Sequence, residues 1–241
     1  MKTSLIKEWI RPLRHTPFHP QWLINRKGED AFVRLLQDAA GPVLDIGCAN
    51  KSGRKYLGNA SVYIGLDFSD TASVWYETVP DIYADAQVLP FAEQTISVVL
   101  LLDVLEHIPD PDLCLAEIHR VLKPLGMVII QVPFLYPLHD VPLDFRRWTE
   151  FGLRRILSKH NLNITEIAED GNSFETCALL ANLSLSRILL WCLNKRHPLV
   201  LLAVFIPALF PLINLIGFMA SKIFPDPGFM PYRYRTVAIK N

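Results

Sequence analysis

From residue 43 to residue 134 the chain alternates short apolar runs with stretches whose apolar residues recur every three or four positions. Apolar runs bounded by Gly, Pro and polar residues read as buried strands, and the longer period reads as amphipathic helix. Strands are expected at residues 42–46, 62–66, 82–84, 98–102 and 126–132, and helices at 31–40 and 112–122. In the second helix Leu113, Ala116, Ile118, Val121 and Leu122 share a face. Pro111 precedes it, where a first turn tolerates a missing N–H, and Lys123-Pro124-Leu125-Gly126 should stop it before the next strand. Strands alternating with helices in this way build a parallel sheet.

After Gly171 the pattern changes. Residues 174–194 form a long apolar stretch in which Arg187 is the single charge beyond Glu175. Residues 199–221 hold 23 positions without Asp, Glu, Lys, Arg or His, flanked by Lys195, Arg196, His197 and Lys222.

Composition narrows the classes. Of 241 residues 51% are hydrophobic and 20% charged, which excludes a disordered chain. The 24 Lys and Arg against 24 Asp and Glu leave no basic excess, so nucleic acid is not an expected partner. Cys48, Cys114, Cys177 and Cys192 form no CxxC pair and show no metal-ligand spacing; reduced thiols and no metal site are expected. The first twenty residues lack the apolar core of a secretory signal, which points to the cytoplasm. They carry Lys2, Lys7, Arg11 and Arg14, with Trp9, Phe18 and Trp22 nearby, which suits either a solvated arm or a patch on an anionic membrane surface.

The chemistry concentrates at strand ends. In VLDIGCANKSG, residues 43–53, a buried strand ends near Asp45, and Gly47 permits a tight turn that brings backbone close to a ligand. The amides that follow are expected to open a helix N-terminus. Asp67 closes the run YIGLD, 22 residues after Asp45, where an acid can accept both hydroxyls of a ribose. Asp85 closes a third run, in YADAQ. Singly each is a turn or cap residue; three on one sheet edge point to an adenosine-containing ligand.

VLDIGCANKSG, YIGLD, DAQVLPF, ISVVLLLDVLEHIPDP and EIHRVLKPLGMVIIQVP together resemble the motifs of class I S-adenosylmethionine-dependent methyltransferases, of the ubiquinone/menaquinone-methylating type (methyltransferase type 11). The resemblance covers about residues 30 to 170. It implies an α/β fold: a Rossmann-like seven-stranded sheet with helices on both faces and an antiparallel last strand. It implies S-adenosylmethionine as cofactor, with Asp45 and Gly47 at the methionine part and Asp67 at the ribose. Asp85 and Ala86 would meet the adenine, and Leu102 and Asp103 would flank the sulfonium. Ala49 stands where the family usually has a second glycine, and Lys51 adds positive charge near a cationic sulfonium. These two residues are the only support for the alternative of a catalytically inactive homologue acting as a membrane-bound scaffold or binding subunit. A nicotinamide oxidoreductase is disfavoured by the incomplete glycine pattern.

Methyl transfer needs alignment more than acid–base help, but a hydroxyl acceptor gains from a base. His107 in LEHIPDP is one candidate. The other is the loop PFLYPLHDVPLDFRRWT, residues 133–149, which mixes Tyr136, His139, Asp140, Asp144, Arg146, Arg147 and Trp148 with prolines. It resembles acceptor loops of relatives from polysaccharide and lipid-linked sugar pathways. His139 is expected as base, with Asp144 orienting it or the acceptor; an Asp144 pair with Arg146 or Arg147 could instead simply fasten the loop.

The tail, residues 232–239, alternates as a strand. A single span over 199–221 would place that strand across the membrane from its sheet. Two short helices, at 199–206 and 212–222, broken by Pro207 and Pro211, resolve the conflict as a re-entrant, monotopic hairpin on the cytoplasmic face. The expected divisions are an N-terminal arm or lid (1–30), the cofactor-binding core (31–172), an apolar membrane-associating insertion (173–224) and a returning strand (225–241). The expected acceptor is a hydrophobic, lipid-linked or sugar-linked small molecule.

Overall fold

A computed structural model describes residues 11–27, 36, 41–57, 61–226 and 228–241. Lys2, Lys7 and Trp9 lie outside these residues, as does the helix expected at 31–40 except for Leu36, which is helical and buried.

Seven strands form one sheet in the order β3-β2-β1-β4-β5-β7-β6. They are β1 (Gly41–Ile46), β2 (Ser61–Asp67), β3 (Ile82–Tyr83), β4 (Ile96–Leu102), β5 (Leu122–Pro133), β6 (Leu162–Asp170) and β7 (Arg233–Lys240). The pairs β1–β2, β1–β4, β2–β3 and β4–β5 are parallel, and β7 runs antiparallel to β5. Alternation within the strands sorts their side chains between two faces. Leu44, Ile46, Val99, Leu101, Val128 and Ile130 enter one apolar cluster, while Val43, Val98, Leu100 and Ile129 enter the other. Near-continuous apolar strands are what a sheet covered on both faces requires.

Of the described helices, α1 is Trp22–Lys27, α2 is Pro111–Val121 and α3 is Glu150–Lys159. Asp110 caps α2, accepting from the amides of Asp112 and Leu113, with Pro111 in the first turn as the sequence predicts. The expected stop at 123–126 takes a different form. Leu122 already pairs with Ile96, and pairing resumes at Met127 opposite Val98, so Lys123–Gly126 is an irregularity inside β5. Leu125 takes a left-handed conformation there, φ 62°.

The chain falls into two compact units. Among the described residues, one comprises 36–134, 138–168 and 233–241 and holds most of the sheet; the other comprises 11–27, 135–137 and 169–232. In the second, the apolar region is a hairpin of α4 (Ser173–Lys195) and α6 (Ile206–Ile223), joined through the single turn α5 (Val200–Ala203). This corrects the expected pair of short helices at 199–206 and 212–222. Pro207 occupies the first turn of α6, where no N–H is needed, and Pro211 lies inside the helix without ending it. Packing against α4 outweighs that one lost bond: Gly217 lies so close that an added Cβ would sit 2.5 Å from the Ala178 Cβ and 3.1 Å from the Phe174 carbonyl.

The hairpin closes on itself at its base, where the Ser173 amide donates to Asp226 and the Thr176 hydroxyl to the Met230 carbonyl at 2.6 Å. Midway, Asn182 and Asn214, both fully buried, are joined by a 2.9 Å hydrogen bond. Asn214 also donates to the carbonyls of Pro17 and His19 at 2.7 and 3.0 Å, tying the segment before α1 to the hairpin. By length and composition both α4 and α6 could cross a membrane, and most of each helix surface is unburied.

Candidate active site

The chain order runs β1, β2, β3 to one side, then places β4 on the other side of β1. The carboxyl ends of β1 and β4 therefore flank the switch point, where open α/β sheets bind ligands. Asp45, Asp67 and Asp103 collect at this edge.

Asp45, in β1, is buried and accepts the Tyr63 phenol proton at 2.6 Å. Burial, with the nearby Asp67 charge, pushes its carboxyl up to about 6 against the Tyr63 hydrogen bond. Gly47 turns the chain at φ 69°, and a Cβ there would lie 2.4 Å from a Val104 methyl, so only glycine fits. The amides of Gly47 and Cys48 both donate to the Leu66 carbonyl, at 2.8 and 3.1 Å. The Cys48 thiol is pushed up to about 12 by burial and neighbouring carboxylates and stays neutral.

Ala49 adopts φ 41° and donates its amide to Asp67 Oδ2 at 2.9 Å. The other Asp67 oxygen accepts from the Phe68 amide and the Thr71 hydroxyl. Lys51 is also left-handed, φ 57°, and its ammonium is paired with Asp81, which accepts the Gly65 amide as well. The Lys51 charge is thus matched by a carboxylate. The helix expected after this loop is a short 3-10 turn, Ser52–Tyr56, following two left-handed residues. Gly53 answers a space requirement here, because a Cβ would approach Asp45 Oδ2 to 2.8 Å.

Asp85 caps its own turn, accepting from the Gln87 amide at 2.8 Å and from the Gln87 side chain, and Ala86 beside it is buried. Leu102 ends β4, and Asp103 follows at φ 56°. Asp103 keeps an exposed surface, yet protein crowds its carboxyl. That crowding, with the Glu106 charge and against Arg233, raises its carboxyl to about 6. Its carboxylate accepts from Gln131 of β5 at 2.6 Å.

The predicted acceptor loop divides. Tyr136 accepts from Gln21 in the second unit, and Trp148 is a core residue of the sheet. Asp140 accepts from the Tyr76 phenol. His139, Asp144 and Arg147 do meet: both Asp144 oxygens accept from the Arg147 guanidinium, at 2.5 and 2.7 Å. Asp144 Oδ2 also accepts the His139 amide at 2.9 Å and lies 3.4 Å from His139 Nδ1. Burial acts to raise the Asp144 carboxyl, but Arg147 and His139 hold it down at about 2. Arg146 points elsewhere, to the carbonyls of Ile108 and Pro109. His107 joins this group, its ring 4.8 Å from that of His139 and edge-on to it. Glu106, within LEHIPDP but not singled out from sequence, is fully buried between the two imidazoles.

A strand order of 3-2-1-4-5-7-6 with the last strand antiparallel, and acids at the carboxyl edge, is the architecture that the resemblance to class I methyltransferases implies. Residues 44–130 match the family model of the methyltransferase domain. A demethylmenaquinone methyltransferase of Staphylococcus aureus is 36% identical over 84 residues, 31% of this chain and 34% of that protein. A fatty-acid O-methyltransferase of Mycolicibacterium smegmatis is 31% identical over 134 residues, 50% of this chain and 46% of the relative. The chain spans half or less of the length of these curated relatives. A solved methyltransferase of Archaeoglobus fulgidus shares the fold with TM-score 0.55 at 15% identity, each chain fully covered. The cyclase SpnF shares it with TM-score 0.57 at 16% identity, over 88% of this chain and 78% of the other. Residues 44–130 are thus a methyltransferase domain, similar to those of S-adenosylmethionine-dependent methyltransferases, and S-adenosylmethionine is the cofactor that this likeness implies.

The residues fit that cofactor chemically. The turn at Gly47 has no room for a side chain, three acids suit a cation and two hydroxyls, and Ala86 offers a buried apolar surface.

Proposed function

We propose that the chain transfers a methyl group to an oxygen of a hydrophobic or lipid-linked acceptor while resting on the cytoplasmic face of a membrane. The observation that carries this reading is the pairing of a methyltransferase sheet with an apolar hairpin inserted just before its last strand. The names of the relatives, a demethylmenaquinone and a fatty-acid methyltransferase, support an acceptor of that kind.

Asp45 and Gly47 would border the methionine part of the cofactor and Asp67 the ribose. Asp85 and Ala86 would border the adenine, and Leu102 and Asp103 the sulfonium end. Bound S-adenosylmethionine supplies an electrophilic methyl with a neutral leaving group. This chain's residues then need to align the acceptor and manage one proton. In the metal-free site His139 takes that proton, held by Asp144 through its ring Nδ1 and its own amide, with His107 beside it. The acceptor O–H bond breaks, its oxygen pair forms the new C–O bond, and the S–C pair stays on sulfur.

Incubating the protein with methyl-labelled S-adenosylmethionine and a membrane lipid extract should move label into the organic phase. His139→Ala should lower the rate about 10²–10⁴-fold with cofactor affinity retained. Full turnover in that variant would remove His139 from the mechanism; label confined to water-soluble products would remove the lipid acceptor.

A further inference from the structure

Glu106 has 0% exposure, and neither of its carboxylate oxygens has a hydrogen-bond partner among the described residues. A buried carboxylate left unpaired is costly, so a feature like this calls for a counter-charge. Two imidazoles face it: His107 Nε2 stands 3.8 Å and His139 Nε2 3.7 Å from Glu106 Oε1. These separations are too long for hydrogen bonds. They are close to the roughly 3.4 Å edge of a tetrahedron of donor atoms about 2.1 Å from one ion. One ligand atom from each of the three residues lies within 4.8 Å of the others.

The outer contact of His107 has the polarity such a site needs, and both rings are anchored at Nδ1. His107 Nδ1 lies 2.8 Å from the Leu143 carbonyl, which can only accept, so Nδ1 carries a proton and Nε2 is the ring nitrogen turned toward Glu106. His139 Nδ1 lies 3.4 Å from the Asp144 carboxylate and 3.5 Å from the Arg147 guanidinium that clamps it, so its anchor is a charged pair rather than a lone acceptor. Imidazoles that ligate through one nitrogen usually anchor the other on a carbonyl or carboxylate in this way. The backbone reinforces the arrangement, as the Phe145 amide donates to the Glu106 carbonyl at 3.0 Å.

We propose that Glu106, His107 and His139 bind one divalent metal ion of the borderline class, such as Zn²⁺, Co²⁺ or Ni²⁺. Two imidazoles and one carboxylate select such ions and leave further positions open. The inference rests on the acceptor reading only for its use. With the ion bound, both Nε2 lone pairs are taken, and an acceptor hydroxyl coordinated at an open position loses its proton to solvent without a protein base. It favours acceptors that offer oxygen to the ion.

The test is a Co²⁺ titration, followed by visible absorption, of untagged, EDTA-treated full-length protein in detergent. The expected result is a ligand-field band that saturates at one equivalent and is displaced by Zn²⁺. His107→Ala, His139→Ala and Glu106→Gln should each weaken binding by at least about 10- to 100-fold. S-adenosylmethionine titration of the same preparations reports folding independently. Cofactor binding without a cobalt band, or a band unchanged in both histidine variants, overturns the metal site and leaves the methyltransferase reading standing. A cobalt band in protein that binds no cofactor does the reverse.

Discussion

Ala49 and Lys51 are where the chain departs from the methyltransferase pattern it resembles, and both stand in the left-handed region, at φ 41° and 57°. A side chain there costs about 1–2 kcal/mol, while glycine costs about 0.5–1 kcal/mol in unfolded-state entropy. Ala49→Gly should therefore stabilise the fold by about 0.5–1 kcal/mol, read by chemical denaturation, and leave the Asp67 contact in place. A loss of stability would show that the methyl is packed rather than strained. The departures were legible in the sequence, but their resolution was not. Lys51 meets Asp81 only because β1 and β2 are neighbours, and no spacing rule foretells that pair. Glu106 was hidden for a similar reason, since His139 lies 32 positions from His107 and only the loop's return brings the rings together. Asp45 yields a second prediction. Its carboxyl rises from 3.8 to about 6, so the folded protein holds that proton more tightly than the unfolded chain does. The resulting stability is full below about pH 4, declines as pH rises and is gone above about 6. Asp103 acts in the same direction, whereas Asp144, held at about 2, loses its contribution only as pH falls below 3.8. Melting curves from pH 4.5 to 7 should show the wild type losing ground to Asp45→Asn as pH rises. Parallel profiles would mean that Asp45 is not the buried acid described.

At the scale of elements, apolar runs located the strands to within a few residues, because central strands of a two-faced sheet are apolar throughout. What the runs could not show was the irregularity in β5, which depends on how Leu122 and Met127 pair with β4. The apolar hairpin agrees with the sequence, and its helix bounds differ from the expected ones for a related reason. Proline spacing suggested breaks at 207 and 211, but tertiary packing against α4 carried α6 through them. The Asn182–Asn214 bond is the polar pin of that packing. Asn214→Leu would orphan the Pro17 and His19 carbonyls and the Asn182 amide, at about 1–3 kcal/mol for each group left buried and unpaired. Limited proteolysis should then cut near residues 14–20 much faster than in the wild type; equal rates would mean that other contacts hold the segment. At about 1.5 Å per residue α4 is about 34 Å long and α6 about 27 Å. The turn joining them exposes Leu201 (75%), Leu202 (69%) and Phe205 (69%) beside Lys195 and Arg196. If this end enters lipid, Leu201→Ser with Phe205→Ser should lower co-sedimentation with anionic vesicles at least tenfold; unchanged co-sedimentation would remove the anchor.

For the whole molecule, the order of strands follows from the motifs once their family is recognised, and the sheet agrees down to the antiparallel β7. Fold alone does not fix chemistry, as the shared architecture of the cyclase SpnF illustrates. Methyl transfer by this chain requires that the carboxyl edge of the sheet bind a sulfonium nucleoside. Asp67, bonded to the Ala49 and Phe68 amides and the Thr71 hydroxyl, holds the glycine-turn loop to β2. Its replacement should both loosen that loop and remove a ribose acceptor. Calorimetric titration of S-adenosylmethionine into the full-length protein in detergent, with NAD as control, tests this most directly. The account predicts micromolar binding at one site, no heat from NAD, and at least tenfold weaker binding in Asp67→Ala. An absence of S-adenosylmethionine binding to the folded wild-type protein would contradict it.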